Sequence, residues 1–237
     1  MFRTIGALLL SYVVGGFPTA IIAGKVLRGI DIRDYGSRNA GATNVWRVLG
    51  VAPAIAVLLI DAFKGVVAVV FVSRVGASGG MLDGTTLQVL CGLFAIVGHV
   101  WTVFARFRGG KGVGTAAGVF GALAPWAVLI ALVCFILVVA LTRYISAGSI
   151  AAALVLAAIL FSQYLLIPGS LPLITVLIGT AVAVLVVVKH HSNIHRLLNG
   201  TENKFGRPAS VAFAAESTPG GSSASPNSRT GSSERSA

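Results

Sequence analysis

The sequence predicts an all-α protein that crosses a membrane many times, with about seven transmembrane helices. Hydrophobic residues make up 56% of the 237 residues and charged residues only 11%, and the mean hydropathy is +0.90. These values exclude an ordinary soluble domain. The apolar residues form continuous runs rather than the short alternating segments of a β-barrel. Most runs approach or exceed the roughly 20 residues that a helix needs to span a bilayer.

Six apolar runs follow one another along the chain. The first, 4–26, is too long for the apolar core of a signal peptide, so we expect it to be retained as a span. The run 112–141 is too long for one upright helix, and Gly118, Gly121 and Pro125 offer a break. We therefore expect two short spans there, broken near Pro125, and seven in all. The runs are 4–26, 51–75, 85–104, 112–141, 145–166 and 171–188.

Positive charge falls on alternate loops. The loops around residues 76–84 and 162–170 carry almost no cations, whereas the loops between and beyond them are basic. By the positive-inside rule the basic loops are cytoplasmic and the amino terminus lies outside. The basic segments are 25–47, 106–111 and 189–207.

The end of the chain differs in composition from the rest. Residues 208–237 are rich in serine, glycine and proline and show no apolar periodicity, so we expect a disordered cytoplasmic tail. Residues 1–207 then form one integral membrane domain. Cys91 and Cys134 both lie inside apolar runs, which indicates free thiols rather than a disulfide.

The first basic loop has the composition of a phosphate site. Small residues dominate it, and its hydroxyl and amide side chains can donate hydrogen bonds. Arg47 can hold a phosphate bidentately. Thr43 or Asn44 is expected to cap a short helix, 45–49, whose N-terminus favours an anion, although ordinary turn and cap roles would also explain Asn39 and Thr43. The candidates here are Ser37, Asn39, Gly41, Thr43, Asn44 and Arg47.

The second basic loop combines cations with glycines. Glycines let the backbone curl so that N–H groups face a ligand, and lysine and arginine supply charge. The spacing is not that of a nucleotide-binding P-loop, and no nucleic-acid partner is indicated. Its cations could alternatively be membrane-edge anchors, which would not explain the glycines. The candidates are Arg108, Gly109, Gly110, Lys111 and Gly112.

A third group of polar residues follows the last span. If the helix continues past residue 189, His190 and Asn193 share one face, while the apolar residues of 194–198 would suit an amphipathic interfacial helix. No carboxylate or cysteine completes a tetrahedral set with the histidines, so no metal is expected. Asp61 and Lys64 are one helical turn apart and can pair with each other. Residues expected to contact and orient the site residues, without binding substrate themselves, are His99, Asp61, Lys64, Arg196 and Glu202.

Three separated motifs carry a family resemblance. In this order they resemble the bacterial membrane-integral glycerol-3-phosphate acyltransferases that use acyl phosphate as donor. The resemblance covers roughly residues 4–205. The motifs are Gly36-Ser37-x-Asn39-x-Gly41-Ala42-Thr43-Asn44-x-x-Arg47, Gly98-His99-x-Trp101 leading into Phe107-Arg108-Gly109-Gly110-Lys111-Gly112, and His190-x-x-Asn193-Ile194-x-Arg196-Leu197.

The resemblance implies an activity, a location and a core site. The implied reaction moves an acyl group from acyl phosphate to the 1-hydroxyl of glycerol 3-phosphate in the bacterial cytoplasmic membrane, giving lysophosphatidic acid and phosphate without a cofactor. It begins phospholipid biosynthesis. His190 or a substrate phosphate oxygen would accept the hydroxyl proton, and Ser37 or Asn193 would stabilise the oxyanion. The residues that match the family's core site are Ser37, Arg47, Lys111, His190 and Asn193.

Two other classes of protein compete with this interpretation. A phosphate or organophosphate transporter would suit basic glycine loops and a broken span, but the clustering of all three motifs on one face disfavours it. A metal-dependent phosphotransferase for lipid head groups needs several aspartates near the membrane at helical spacing, which the chain lacks.

Overall fold

The computed structural model describes residues 1–77 and 82–206, and this part of the chain is helical without any β-strand. The predicted tail, 208–237, lies outside the described residues. A π-helical turn, Ala68–Val72, joins two of the helices, and the loops contain short 3-10 turns at Ile32–Asp34 and Val103–Ala105. The helices are α1 Phe2–Gly16, α2 Thr19–Arg28, α3 Ala42–Leu49, α4 Val51–Val67, α5 Ser73–Ala77, α6 Gly84–Val100, α7 Val113–Leu123, α8 Pro125–Thr142, α9 Ile145–Leu166, α10 Leu173–Lys189 and α11 His191–Leu198.

The first apolar run forms two helices, α1 and α2, which together make one candidate membrane span, Phe2–Arg28. The break lies at Phe17 and Pro18. Proline has no backbone N–H and its ring clashes with the preceding turn, so the helix stops and restarts. Upstream of the break, α1 lies very close to α6: a Cβ added to Gly15 would collide with the backbone of Ala95, and one added to Gly98 with that of Tyr12. Glycines therefore set the separation of these two helices.

The long run 112–141 is broken where the sequence predicted. Ala124 leaves the helical conformation and Pro125 begins α8. Lys111, just before α7, and Ile145, just after α8, line one cavity. The chain thus leaves that end of the bundle along α7 and returns to it along α8.

The number of membrane crossings stays a prediction. Among the described residues, five helical segments are long and apolar enough to cross a membrane, or six if α10 and α11 count as one bent span. Helix α7 has 11 residues, so it is about 16 Å long, roughly half the hydrocarbon thickness. A total of seven crossings requires that this short helix itself crosses the membrane.

The last helices bend instead of continuing. Helix α10 ends at Lys189, and α11 departs at 57°. Beyond α11 the chain turns back, and the N–H of Phe205 donates to the carbonyl of Arg143 at 2.6 Å. Residues 201–206 therefore lie against the turn between α8 and α9, which closes one side of the cavity.

Candidate active site

A cavity of about 600 Å³ opens where the three polar loops of the sequence meet. Its volume suits a small-molecule site. One wall is polar and comes from the first loop, the start of α7 and α11. The other is apolar and comes mainly from one face of α4, together with Phe135 of α8. The predicted site residues that line it are Ser37, Asn39, Gly41, Thr43, Arg47, Asp61, His99, Lys111, Gly112, His190, Asn193, Arg196 and Glu202.

Asn44 folds the first loop from inside. Its amide nitrogen donates to the carbonyls of Ile32, at 2.8 Å, and Tyr35, at 3.1 Å, and its oxygen accepts the N–H of Ser37 at 2.7 Å. The side chain is completely buried and does not line the cavity. Asn44 therefore supports the loop that places Ser37 at the cavity wall.

The predicted cap of the short helix is wrong. Helix α3 begins at Ala42, not at residue 45, and Gly41 precedes it without any side-chain cap. Because Asn44 already lies within α3, its amide is used to fold the preceding loop instead of capping a helix. Thr43 lies at the cavity wall.

Arg47 is held in the cavity wall without a protein partner. Among residues 1–77 and 82–206 no side chain makes an ion pair or hydrogen bond with its guanidinium. Partial burial lowers the pKa of Arg47, opposed by the carboxylate of Glu202 and assisted by Arg196. A guanidinium remains charged in spite of such a shift. Its five N–H donors are thus available to an anion.

Lys111 is the cation most affected by its surroundings. Its ammonium donates to the Oδ1 of Asn193. Burial lowers the pKa of Lys111 to about 8, opposed by Glu202 and assisted by Arg196, Arg47 and Lys189. An anionic ligand would reverse this effect by stabilising the charged form.

The second basic loop, residues 106–112 and called the glycine loop below, does not border the cavity at every residue. Gly112 lines it and adopts φ +83°, a conformation that favours glycine. Gly109 and Gly110 instead border a second, much smaller cavity of about 10 Å³. Arg108 is exposed and borders neither cavity.

His190 lies at the bend between α10 and α11. Its Nδ1 is 2.7 Å from the carbonyl oxygen of Val186. A carbonyl only accepts, so Nδ1 carries the proton and Nε2 presents a lone pair. Among the described residues none hydrogen-bonds to Nε2, and the side chain lines the cavity. The fold therefore provides a neutral imidazole that can accept a hydrogen bond.

Glu202 gathers the polar residues of this end of the chain. Its Oε1 accepts hydrogen bonds from Ser146, at 3.0 Å, and from the amide of Asn193, at 2.7 Å. Its Oε2 pairs with Arg196 at 2.7 Å. The carboxylate is buried. It supplies negative charge beside Lys111 and fixes the amide orientation of Asn193.

A second ion pair is buried on α4, next to His99 of α6. Lys64 and Asp61 are 2.7 Å apart, as their spacing predicted. His99 lies next to both, with its Nδ1 3.7 Å from Asp61 and 3.5 Å from Lys64. Asp61 and His99 border the main cavity, whereas Lys64 does not.

The charges that line the cavity do not balance. In the described part of the chain five cations line it against two carboxylates; Asp61 is paired with Lys64, outside the lining, and Glu202 with Arg196, so four lining cations have no carboxylate partner. The arrangement is therefore suited to a ligand with several negative charges, such as a phosphate. The cations are Arg38, Arg47, Lys111, Lys189 and Arg196.

Several lining residues escaped the sequence analysis. Trp46 and Phe205, which both line the cavity, contact each other with ring centroids 4.7 Å apart and ring planes tilted by 32°. Ser146 binds Glu202 across 56 residues of sequence. Such long-range contacts leave no local pattern. Phe135 belongs to an almost uniformly apolar helix, in which nothing distinguishes the face that borders a cavity.

Comparison with known proteins decides the family. Residues 5–200 match the family model described as glycerol-3-phosphate acyltransferase. The chain belongs to this family. A glycerol-3-phosphate acyltransferase of Chlorobium phaeobacteroides is 42% identical, over 87% of this chain and 99% of the relative. One from Chlorobaculum parvum is also 42% identical, with the same coverage of each chain.

Solved structures agree with this assignment. The glycerol 3-phosphate form of PlsY (YgiH), an integral membrane glycerol 3-phosphate acyltransferase, is 31% identical with a TM-score of 0.73, covering 86% of this chain and 96% of that one. The lysophosphatidic acid form of the same protein matches equally well and has 95% of its chain covered. The acyltransferase family assignment and the all-helical, multi-pass membrane architecture predicted from the sequence are therefore confirmed.

Proposed function

We propose that this acyltransferase moves an acyl group from acyl phosphate to the 1-hydroxyl of glycerol 3-phosphate. The products are lysophosphatidic acid and inorganic phosphate, and the reaction begins phospholipid biosynthesis. The observation that carries the proposal is that four of the five lining cations have no carboxylate partner among the described residues. Both substrates carry a phosphate, so a site for the two together requires such cations.

The two walls of the cavity match the two parts of an acyl donor. Val51, Ala54, Ile55 and Leu58 recur at helical spacing along α4 and form an apolar strip below the cations. Phe135 faces the same cavity from α8, a helix with most of its surface exposed on the outside of the bundle. The phosphate of the donor lies among the cations, and its acyl chain lies along the strip towards the membrane.

The reaction needs no protein nucleophile. The hydroxyl oxygen attacks the acyl carbon, the carbon–oxygen bond to phosphate breaks, and phosphate leaves with the bonding electrons. Arg47 and Lys111 stabilise the phosphates through charge-assisted hydrogen bonds. Ser37 or the second N–H of Asn193 donates to the developing oxyanion, since the oxygen of Asn193 accepts from Lys111 and its first N–H donates to Glu202.

The hydroxyl proton has two acceptors of suitable chemistry. One is Nε2 of His190, since its Nδ1 proton is held by Val186. The other is a phosphate oxygen of the donor. The chemistry requires neither a metal nor a redox cofactor. The described residues contain no cluster of three or more metal-ligating side chains. We place the enzyme in the bacterial cytoplasmic membrane, with the basic loops on the cytoplasmic face.

Turnover by the purified full-length chain tests the proposal. Palmitoyl phosphate and glycerol 3-phosphate together should release phosphate and form lysophosphatidic acid, and neither substrate alone should do so. Palmitoyl-CoA should serve poorly, because no adenosine-nucleotide motif occurs in the sequence. Equal turnover with both donors would exclude the acyl-phosphate specificity but retain acyl transfer. Flux of glycerol 3-phosphate into proteoliposomes without product would instead identify a transporter.

A further inference from the structure

The buried cluster of Asp61, Lys64 and His99 has no role in the proposed chemistry. All three side chains are at most 8% exposed. Ionisable groups within a membrane bundle are costly, so a cluster of three calls for an explanation beyond packing. Its surroundings point to the glycine loop that carries Lys111.

The glycine loop rests directly on His99. The N–H of Gly110 donates to the carbonyl of His99 at 3.2 Å, and the N–H of Gly109 donates to the carbonyl of Val100 at 3.2 Å. A Cβ added to Gly109 would collide with the carbonyl of His99, and one added to Gly110 would collide with Nε2 of its ring. Only glycine allows this approach, so the imidazole determines how deep the loop lies.

The ion pair fixes that imidazole from the other side. Asp61 and Lys64 both face Nδ1 of His99. Lys64 also donates to the carbonyl of Phe17, at 2.9 Å, at the proline break between α1 and α2, where the N–H of Thr19 donates to the same oxygen at 3.0 Å. The cluster thus joins the broken first span, α4 and α6 beneath one loop.

We propose that His99, held by Asp61 and Lys64, is a positioning residue that sets the depth of Lys111 in the active site. Lys111 follows Gly110 directly, so a shift of Gly110 moves the start of the lysine side chain by a similar distance. Its ammonium must still reach Asn193 of α11. A lowered loop would break this contact, and a raised loop would expose the ammonium to water. The kinetic consequence rests on the proposed function, whereas the structural consequence does not.

The first experiment measures Lys111 without turnover. In the full-length protein, the rate at which a small amine-reactive reagent modifies Lys111 is followed by mass spectrometry across a pH series. The wild-type profile should give a pKa near 8. In His99→Ala the loop should sink into the space that the ring leaves, so the ammonium loses Asn193 and lies deeper. Its pKa should then fall further below the ordinary lysine value of about 10.4, since burial causes the depression. Glu202, Arg47, Arg196, Lys189 and His190 surround the ammonium in both proteins, so the substitution removes none of the charged groups that act on Lys111.

The second experiment measures catalysis and rescue. His99→Ala should lower kcat/KM by about 100-fold, the effect of an ångström-scale misplacement of a catalytic group. His99→Gln should recover part of the loss, because an amide fills much of the space and still faces the ion pair. The matched control is Ser73→Ala, which removes a buried hydroxyl that bonds to Val69 and does not line the cavity.

The outcomes separate the two proposals. An unchanged Lys111 profile in a folded His99→Ala protein would overturn the positioning role, and so would a loss of activity no larger than that of Ser73→Ala. Absence of acyl transfer in the wild type would overturn the proposed function, whereas the labelling comparison would still decide the role of His99. If His99→Ala does not fold, the Lys111 modification profile and kcat/KM are measured on His99→Gln instead. We expect both to change, by less than in a folded His99→Ala protein.

Discussion

Lys111 and Asn193, which are 82 residues apart in the sequence, are joined by a hydrogen bond from the ammonium to the amide oxygen. The nitrogen of the same amide donates to Glu202 at 2.7 Å. A cation, an amide and a carboxylate therefore form one chain of hydrogen bonds from the glycine loop through α11 to the segment that follows it. Each side chain orients the next, so a substitution at one of the three residues should alter the geometry of the other two.

Removing either phosphate-binding cation should greatly impair the enzyme. Lys111→Ala and Arg47→Ala each delete a charge-assisted contact, of about 1.5–3 kcal/mol, which corresponds to a ten- to hundred-fold loss in kcat/KM. Lys111→Arg should rescue poorly, because a forked guanidinium does not fit where a compact ammonium lies among glycines. Phosphate release at several substrate concentrations measures the effect.

Arg28→Ala is the matched control for these two changes. Arg28 is an exposed cation at the end of α2, outside the cavity lining. We expect its removal to alter kcat/KM by less than about three-fold. Equal losses at Arg28 and Lys111 in well-inserted proteins would mean that the cations act only as a diffuse attractive field.

Activity should decrease in alkaline solution because Lys111 loses its proton. Burial lowers the pKa of Lys111 to about 8, so the ammonium is present below this pH and is lost as the pH rises through it. We therefore expect kcat/KM, which reports the free enzyme, to fall above about pH 8. The residual activity of Lys111→Arg should not decrease in this way at alkaline pH, because a guanidinium stays charged. A wild-type profile that is flat to pH 10 would contradict the prediction.

Glu202→Gln should move the alkaline decrease in kcat/KM to lower pH. The carboxylate raises the pKa of Lys111 against the effect of burial, so a neutral amide removes that contribution and lowers the pKa further. The amide oxygen can still accept from Ser146 and Asn193, which limits the change in geometry. The measurement is the pH dependence of kcat/KM for the variant. If the alkaline decrease occurs at the same pH as in the wild type or at a higher pH, Glu202 does not act on Lys111 through charge.

The sequence was sufficient where the signal is local and insufficient where it depends on contacts between distant segments. Pro125 within thirty apolar residues was enough to place the break between α7 and α8. The break at Pro18 was not expected, because each side of it is too short to read as a separate span. Asn44 has the composition of a cap or ligand, and only the fold shows that its amide holds the first loop. Nothing in the sequence places His99 beneath Gly110.

Cysteine labelling should establish which end of the bundle faces the cytoplasm. Gly169 lies in the turn between α9 and α10, and Asn199 follows α11; both are exposed. With the basic loops cytoplasmic, Gly169→Cys should react with a membrane-impermeant thiol reagent on intact cells, and Asn199→Cys should react only after lysis. The reverse pattern would invert the predicted orientation. Cys91 and Cys134 lie within helices α6 and α8, so the unmodified chain serves as the background control.

His190→Asn should identify the acceptor of the hydroxyl proton. The asparagine amide can take over the hydrogen bond that Nδ1 of His190 donates to Val186, but it has no basic nitrogen in place of Nε2. If Nε2 accepts the proton, the loss of general-base catalysis should lower kcat by about 10²–10⁴-fold. We expect such a loss, with a smaller change in KM for glycerol 3-phosphate, because the phosphate contacts come from Arg47 and Lys111. A kcat within about ten-fold of wild type in a folded protein would assign the proton to the phosphate of the donor, and His190 would then serve to orient the hydroxyl.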